Sequence, residues 1–188
     1  MKLRLFVPLL TAGLAAASLS AQQPVGAREA LANMTSQPAT HTAFTLDKDA
    51  LQTAEGLFDT RPGAERAVAG LNSITFENYR YHEPAFYIPE SMAQLTAAYS
   101  RAGWKHLVNQ NASPRESASP RSQLTDLWLH FHGAEIDDVM VLVRSPKNMS
   151  VVEVSGLLRP LDLVHLSGHF GIPKVDPDAV MVPAPPGR

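Results

Sequence analysis

The sequence contains no cysteine among its 188 residues, so no disulfide, cysteine nucleophile or acylated cysteine anchor is available to the chain. An excess of one charge is also missing. The 16 Lys and Arg residues and 18 Asp and Glu residues leave a formal net charge of −2, which gives no electrostatic footprint for nucleic acid or anionic lipid. The fold must therefore be held by its apolar core, and a hydrophobic content of 45% is sufficient to build one.

Motifs for catalysis are absent as well. The sequence has no Gly-x-Ser-x-Gly elbow, no glycine-rich loop of the kind that cradles phosphate, and no dinucleotide-binding fingerprint. These absences favour a protein that is not an enzyme, with no catalytic residue and no organic cofactor to assign.

The beginning of the chain has the order of a secretory signal. Lys2 and Arg4 precede an apolar run over residues 5–17, and small residues follow up to Ala21. The run is shorter than the ~20 residues that a membrane-spanning helix needs. We therefore expect a signal peptide over residues 1–21 and a location in the periplasm or outside the cell, with no stable membrane span after cleavage.

The remaining chain divides by composition into an expected leader, one domain and a tail. Residues 22–40 have little periodicity and predict a flexible leader, and residues 174–188 are rich in proline and predict a disordered tail. Between them, residues 41–173 are expected to form one domain. Within this domain, residues 110–122 contain Ser-Pro-Arg twice and predict a mobile loop.

The periodicity inside the domain indicates an α+β fold. Strands are predicted over residues 72–81, 104–109, 124–132, 136–144 and 149–155, and helices from residue 47, over 64–71, over 89–102 and from residue 160. Short connections between the last three strands indicate an antiparallel meander. Because strands and helices do not alternate regularly, we expect a mostly antiparallel sheet with helices packed on it, in a two-layer sandwich.

Several segments resemble a known bacterial family. Val-Val-Glu-Val-Ser-Gly over residues 151–156, Leu-Asp-Leu over 161–163 and Gly-His-Phe-Gly-Ile-Pro over 168–173 follow one another as they do in the exported family called domain of unknown function 4252 (DUF4252). The resemblance covers residues 41–173. It implies secretion and an α+β domain, supplies no catalytic residue, and implies a role in envelope signalling.

The predicted hairpin carries the best candidates for a binding site. His130 and His132 lie two apart on a strand and therefore share a face, from which two imidazoles can reach one metal ion. Hairpin arithmetic places Phe131 opposite Ile136, His130 opposite Asp137, and Glu135 beside His132. These two histidines and two carboxylates are a candidate site for a divalent metal or for proton sensing. The alternative is that polar side chains at a hairpin tip simply meet solvent.

Apolar residues on both faces of the same hairpin pose a second question. Strict alternation places Leu127, Leu129, Met140 and Leu142 on one face, and Trp128 with Val139, Val141 and Val143 on the other. Either helices or a second subunit cover the second face, or a bulge changes the register. By the same alternation, the neighbouring acids Asp137 and Asp138 point to opposite faces.

The sequence thus favours an exported, non-enzymatic α+β domain that binds a ligand or partner, with an envelope protein or a second copy as candidate partners. The alternative is a metal-binding or pH-responsive site at His130 and His132.

Overall fold

The structure is a computed structural model that describes residues 23–54, 64–108, 112–159, 162, 163, 166, 180 and 181. Its elements are α1 (Ala27–Ala32), β1 (Ala39–Asp47), α2 (Lys48–Ala54), α3 (Ala64–Ala69), β2 (Leu71–Tyr81), α4 (Pro89–Arg101), β3 (Lys105–Val108), α5 (Pro114–Ala118), β4 (Leu124–His132), β5 (Glu135–Arg144), β6 (Asn148–Leu158) and β7 (Val180–Met181). No helix within these residues is long and apolar enough to cross a membrane.

The strands form one antiparallel sheet in the order β1-β2-β6-β5-β4-β3-β7. β4, β5 and β6 are dense in Val and Leu, which fit a pleated surface that is buried on both sides. The predicted α+β class and antiparallel sheet are confirmed.

Helix α4 shows why the longest helix forms where the sequence predicts it. Pro89 occupies the first turn, where its missing N–H costs no intrahelical hydrogen bond, and Leu95, Ala98 and Tyr99 form the buried stripe. Gly103 follows the helix with a φ of 86°, a left-handed conformation that glycine adopts without strain. The helix therefore ends before Trp104, which packs edge-on against Tyr99.

The sheet has a buried cluster on each face. On the α4 face, defined by its contacts with α1 and α4, the sheet contributes Trp128, Met140, Leu142, Met149 and Val151. On the opposite α2 face, Leu51 of α2 and Ala67 and Val68 of α3 pack with Leu127, Leu129, Val139, Val141, Val152 and Val154. Helices of one chain thus cover both faces. The apolar second face therefore requires no second subunit, and the helices make a third layer where two were expected.

A β-bulge explains why the predicted faces of β5 are wrong. The register shifts between His130 and Phe131, so that His130 pairs with Asp138 while Phe131 pairs with Ile136. Asp137 is therefore the extra residue of β5, and every later side chain of that strand changes face relative to strict alternation. Met140 and Leu142 consequently join Trp128 on the α4 face.

Three predicted irregular segments contain regular structure. In the leader predicted over residues 22–40, helix α1 buries Ala27, Ala30 and Leu31, and β1 begins at Ala39. The loop predicted over 110–122 contains α5, whose Ser113 and Glu116 form a capping box. Of the tail predicted over 174–188, only Val180 and Met181 are among the described residues, and they form β7, which pairs with β3.

The elements α1, α5 and β7 were not predicted, because short helices and edge strands depend on packing more than on local periodicity. β1 itself was not predicted as a strand. Within the helix predicted from residue 160, the described residues Asp162, Leu163 and Leu166 are helical.

Candidate metal centre on the sheet

The β-bulge brings two neighbouring acids of β5 to one histidine of β4. His130 and Asp138 are cross-strand partners. Asp137 also reaches the same imidazole, with its Oδ1 2.7 Å from Nδ1 of His130. Both side chains of this contact are about one-third exposed, at 34% for His130 and 28% for Asp137, so the contact is open to solvent and solutes.

We call His130, Asp137 and Asp138 the His130 cluster. Each offers one ligand atom, and these atoms lie within 4.8 Å of one another. An imidazole nitrogen and two carboxylate oxygens are a donor set that zinc and other divalent transition metals accept. Such ions bind these atoms at about 2.0–2.2 Å, so small side-chain rotations would bring the three donors onto one ion. Three protein ligands leave a coordination position for water or for another molecule.

Asp138 is the member whose charge is least compensated. Burial is the main cause that raises its pKa above the ordinary value, and the neighbouring charge of Asp137 adds to this. A hydrogen bond with Ser155 and the proximity of His130 lower the pKa in part. One oxygen of Asp138, Oδ1, is buried without a hydrogen-bond partner among the described residues. An unpartnered buried carboxylate oxygen is costly, and a bound cation would remove that cost.

Glu153 of β6 is a third carboxylate, beside the two of the His130 cluster. It lies diagonal to Asp138 on the α4 face, because Asp138 pairs with Ser155 two residues further along β6. Burial is again the main cause that raises its pKa, and Glu77 and Asp138 raise it further. The side-chain amide of Gln23 donates a hydrogen bond to Glu153, which lowers the pKa in part.

Tyr99 of α4 lies near the carboxylates of Glu153 and Asp138. Its side chain is fully buried, and its hydroxyl has no hydrogen-bond partner among the described residues. Burial raises the pKa of Tyr99, and the charges of Glu153 and Asp138 raise it further. The phenol therefore stays protonated and keeps a free O–H donor close to two carboxylates.

The structure brings together two of the four predicted site residues. His130 and Asp137 are in contact, although Asp137 reaches the histidine from a bulge and not from the opposite position. His132 and Glu135 are cross-strand partners as expected, but both are exposed and lie outside the His130 cluster. Asp138 was not predicted as a site residue, because strict alternation places it on the opposite face from Asp137. The adjacent acids were the available signal.

A second polar group lies on the same face at the other side of Trp128. We call Asp126, Arg144 and His106 the buried ion-pair network. The carboxylate of Asp126 accepts from Nη2 of Arg144 and contacts Nε2 of His106, each at 3.0 Å. The side chains of Asp126 and Arg144 are only 7% and 3% exposed. Arg144 also donates to the carbonyl oxygen of Ser117 at 2.8 Å, which ties α5 to the sheet.

Stacking fixes the histidine of this network. The His106 ring lies parallel to Trp128 with 4.4 Å between ring centroids. With its ring held by Trp128 and its Nε2 held by Asp126, His106 is better suited to support the core than to bind a ligand.

The chain matches no protein-family model, no curated protein and no solved structure. The resemblance to domain of unknown function 4252 therefore stays a prediction, and its Gly-His-Phe-Gly-Ile-Pro segment, residues 168–173, lies outside the described residues.

Proposed function

We propose that this protein is an exported, non-enzymatic binding domain that captures a divalent transition metal at the His130 cluster. The observation that carries the proposal is the convergence of three ligand atoms within 4.8 Å at a place where Oδ1 of Asp138 has no partner among the described residues. Nε of Arg144 in the buried ion-pair network also lacks a partner, but the charge of Arg144 is compensated by Asp126. Among the described residues no Lys or Arg forms an ion pair with Asp138, so its buried carboxylate oxygen is available to a cation.

The charges around the cluster support a cation as the ligand. The charge of Asp137 helps to raise the pKa of Asp138, and the charge of Asp138 helps to raise the pKa of Glu153. No Lys or Arg of the described part of the chain forms an ion pair with Asp138. A divalent ion would favour the charged form of each carboxylate and so offset the cost of burying it.

Thermal unfolding with and without metal tests the proposal. We expect zinc, and to differing degrees manganese, nickel and copper, to raise the melting temperature of the purified protein after chelator treatment. The variants His130→Ala and Asp138→Asn should lose this rise. His132→Ala is the matched control, because it removes an exposed histidine of the same strand that lies outside the cluster.

The outcomes of this experiment separate the two assignments made for the hairpin. A metal response that His132→Ala removes, while Asp138→Asn leaves it intact, would place the site at the hairpin tip. No response to any of these metals, with no metal found by elemental analysis of the protein from its native cell, would refute the metal-binding function.

Export is the other half of the proposal, and its support is the signal-like order of residues 1–21. Fractionation of the producing cells, followed by mass spectrometry of the N-terminal peptide, tests it directly. We expect a chain that begins near Gln22 in the periplasmic or culture fraction. A chain that retains Met1 in the cytosolic fraction would contradict export without affecting the metal test.

A further inference from the structure

The two edges of the sheet differ in how they end. On the β3 side, β7 pairs with Leu107 and Val108 and so covers part of the edge. On the other side, β1 pairs with β2 along its whole length, and no further strand of the described residues pairs with it. Residues 40–45 of β1 are all exposed. The outer edge of β1 therefore presents backbone N–H and C=O groups to solvent.

β1 lacks the features that usually prevent an edge strand from pairing with another chain. Its nine residues contain no proline, lysine or arginine, and its single acid, Asp47, lies at the very end. It has no bulge, because its pairing with β2 runs without a register shift from Ala39 to Asp47. Natural proteins commonly protect exposed edges with charges, prolines, bulges or a covering segment. A long regular edge without such residues, and without a covering strand in the part of the chain that the structure describes, is typical of a pairing surface.

We propose that β1 pairs antiparallel with β1 of a second copy of this chain, so that the two sheets join into one. Pairing over the full strand places Ala43 opposite Ala43 of the second copy. In that register His41 lies opposite Thr45 and Asp47 opposite Ala39, so no two like charges meet. The strand is therefore complementary to itself, which is the reason to choose a second copy over an unrelated strand.

The exposed aromatic side chain of the edge supports this register. Phe44 is 58% exposed and stacks on Phe76 of β2, with 4.8 Å between the ring centroids. An antiparallel join between identical strands leaves the same face of both sheets on the same side. Phe44 then lies opposite Thr42 of the second copy, and the two Phe44 rings become diagonal neighbours at ~7–8 Å, within reach of aromatic side chains. The join would cover the ring that the single chain leaves exposed.

Charge substitutions at the centre of the register test the pairing. Sedimentation of the purified protein over a concentration series should show a species of twice the chain mass. Ala43→Lys and Ala43→Glu should each raise the dimer dissociation constant by at least about tenfold, because like charges then face each other. A mixture of the two variants should restore the dimer. Gln94→Lys, on the exposed side of α4, is the matched control and should leave the dimer intact.

Hydrogen exchange keeps the proposal testable if a variant fails to fold. The outward-facing amides of β1 should exchange more slowly as the concentration of the unmodified protein rises. A monomer at every concentration, or a dimer that both charged variants leave unchanged, would overturn the proposal. Because the His130 cluster lies on β4 and β5, away from β1, failure of the dimer would not affect the metal test, and the reverse also holds.

Discussion

Two polar groups lie on the same face of the same two strands, on opposite sides of Trp128, and they differ in how their charges are balanced. At one end, Asp126 of β4 pairs with Arg144 of β5, and both are buried. At the other end, His130 of β4 is the cross-strand partner of Asp138 of β5, and a second acid, Asp137, contacts the same imidazole. In the buried ion-pair network the charge of Asp126 is compensated by Arg144, whereas the His130 cluster contains two carboxylates and one histidine.

The buried ion-pair network is therefore expected to stabilise the fold, whereas the His130 cluster without a bound cation is expected to destabilise it. Removing one partner of a buried ion pair leaves an uncompensated charge and is strongly destabilising. Removing a half-buried carboxylate whose pKa is raised has the opposite sign, because its ionised form opposes folding. Chains tend to keep such unfavourable groups where a function needs them. The comparison is therefore an argument for binding at the His130 cluster.

The largest expected effect comes from matched substitutions at the two ends. Asp126→Asn should lower the free energy of unfolding by about 3–5 kcal/mol, because Arg144 is left buried without its counter-charge. Asp138→Asn makes the same chemical change in the His130 cluster. It should leave the free energy of unfolding nearly unchanged or raise it. Urea denaturation of both variants without metal measures the difference. An equal loss of unfolding free energy in the two variants would contradict the difference between the buried ion-pair network and the His130 cluster.

Zinc should stabilise the protein through the His130 cluster and not through the buried ion-pair network. At a zinc concentration a hundredfold above the dissociation constant, the free energy of unfolding should rise by about 2.7 kcal/mol. The rise should persist in a network variant that remains folded, such as His106→Gln, and disappear in His130→Ala. It should shrink as the pH falls, because protons compete with the metal for the ligand atoms. An equal rise in the free energy of unfolding with zinc in His106→Gln and His130→Ala would place the metal outside the His130 cluster.

The smallest effect is the pH dependence of the metal-free protein. The raised pKa of Asp138 and of Glu153 means that the folded chain holds more protons than the unfolded chain above the ordinary carboxyl pKa. Their contribution to stability is therefore fully present below that pKa and is lost as the pH rises through the folded-state value. Glu153→Gln should raise stability at neutral pH by less than about 1 kcal/mol, because Glu153 is only partly buried and water still screens its charge.

The control for this measurement is Glu83→Gln, which removes the same charge from an exposed position. Denaturation curves across a pH series should show that the free energy of unfolding falls less steeply with rising pH in Glu153→Gln than in the control. An identical decline in both variants would mean that Glu153 does not oppose folding.

Much of the fold could be predicted because β4, β5 and β6 are long, rich in apolar residues and joined by short turns. The hairpin pairing of Phe131 with Ile136 was also predicted correctly. β1 and α1 were missed, because exposed strand residues such as those of β1 carry no burial pattern and a helix of six residues has little periodicity. Their positions depend on the sheet edge and on α4, which pack against them in the folded chain.

The sequence by itself determined the order of the strands along the chain, the absence of disulfides, and the presence of His130, Asp137 and Asp138 near one turn. Only the tertiary structure decided which of these side chains meet. Local alternation predicts the face of each residue from its neighbours, but a bulge depends on how two strands pair across the sheet. One extra residue at Asp137 moved Met140 and Leu142 to the α4 face and brought two adjacent acids to one histidine.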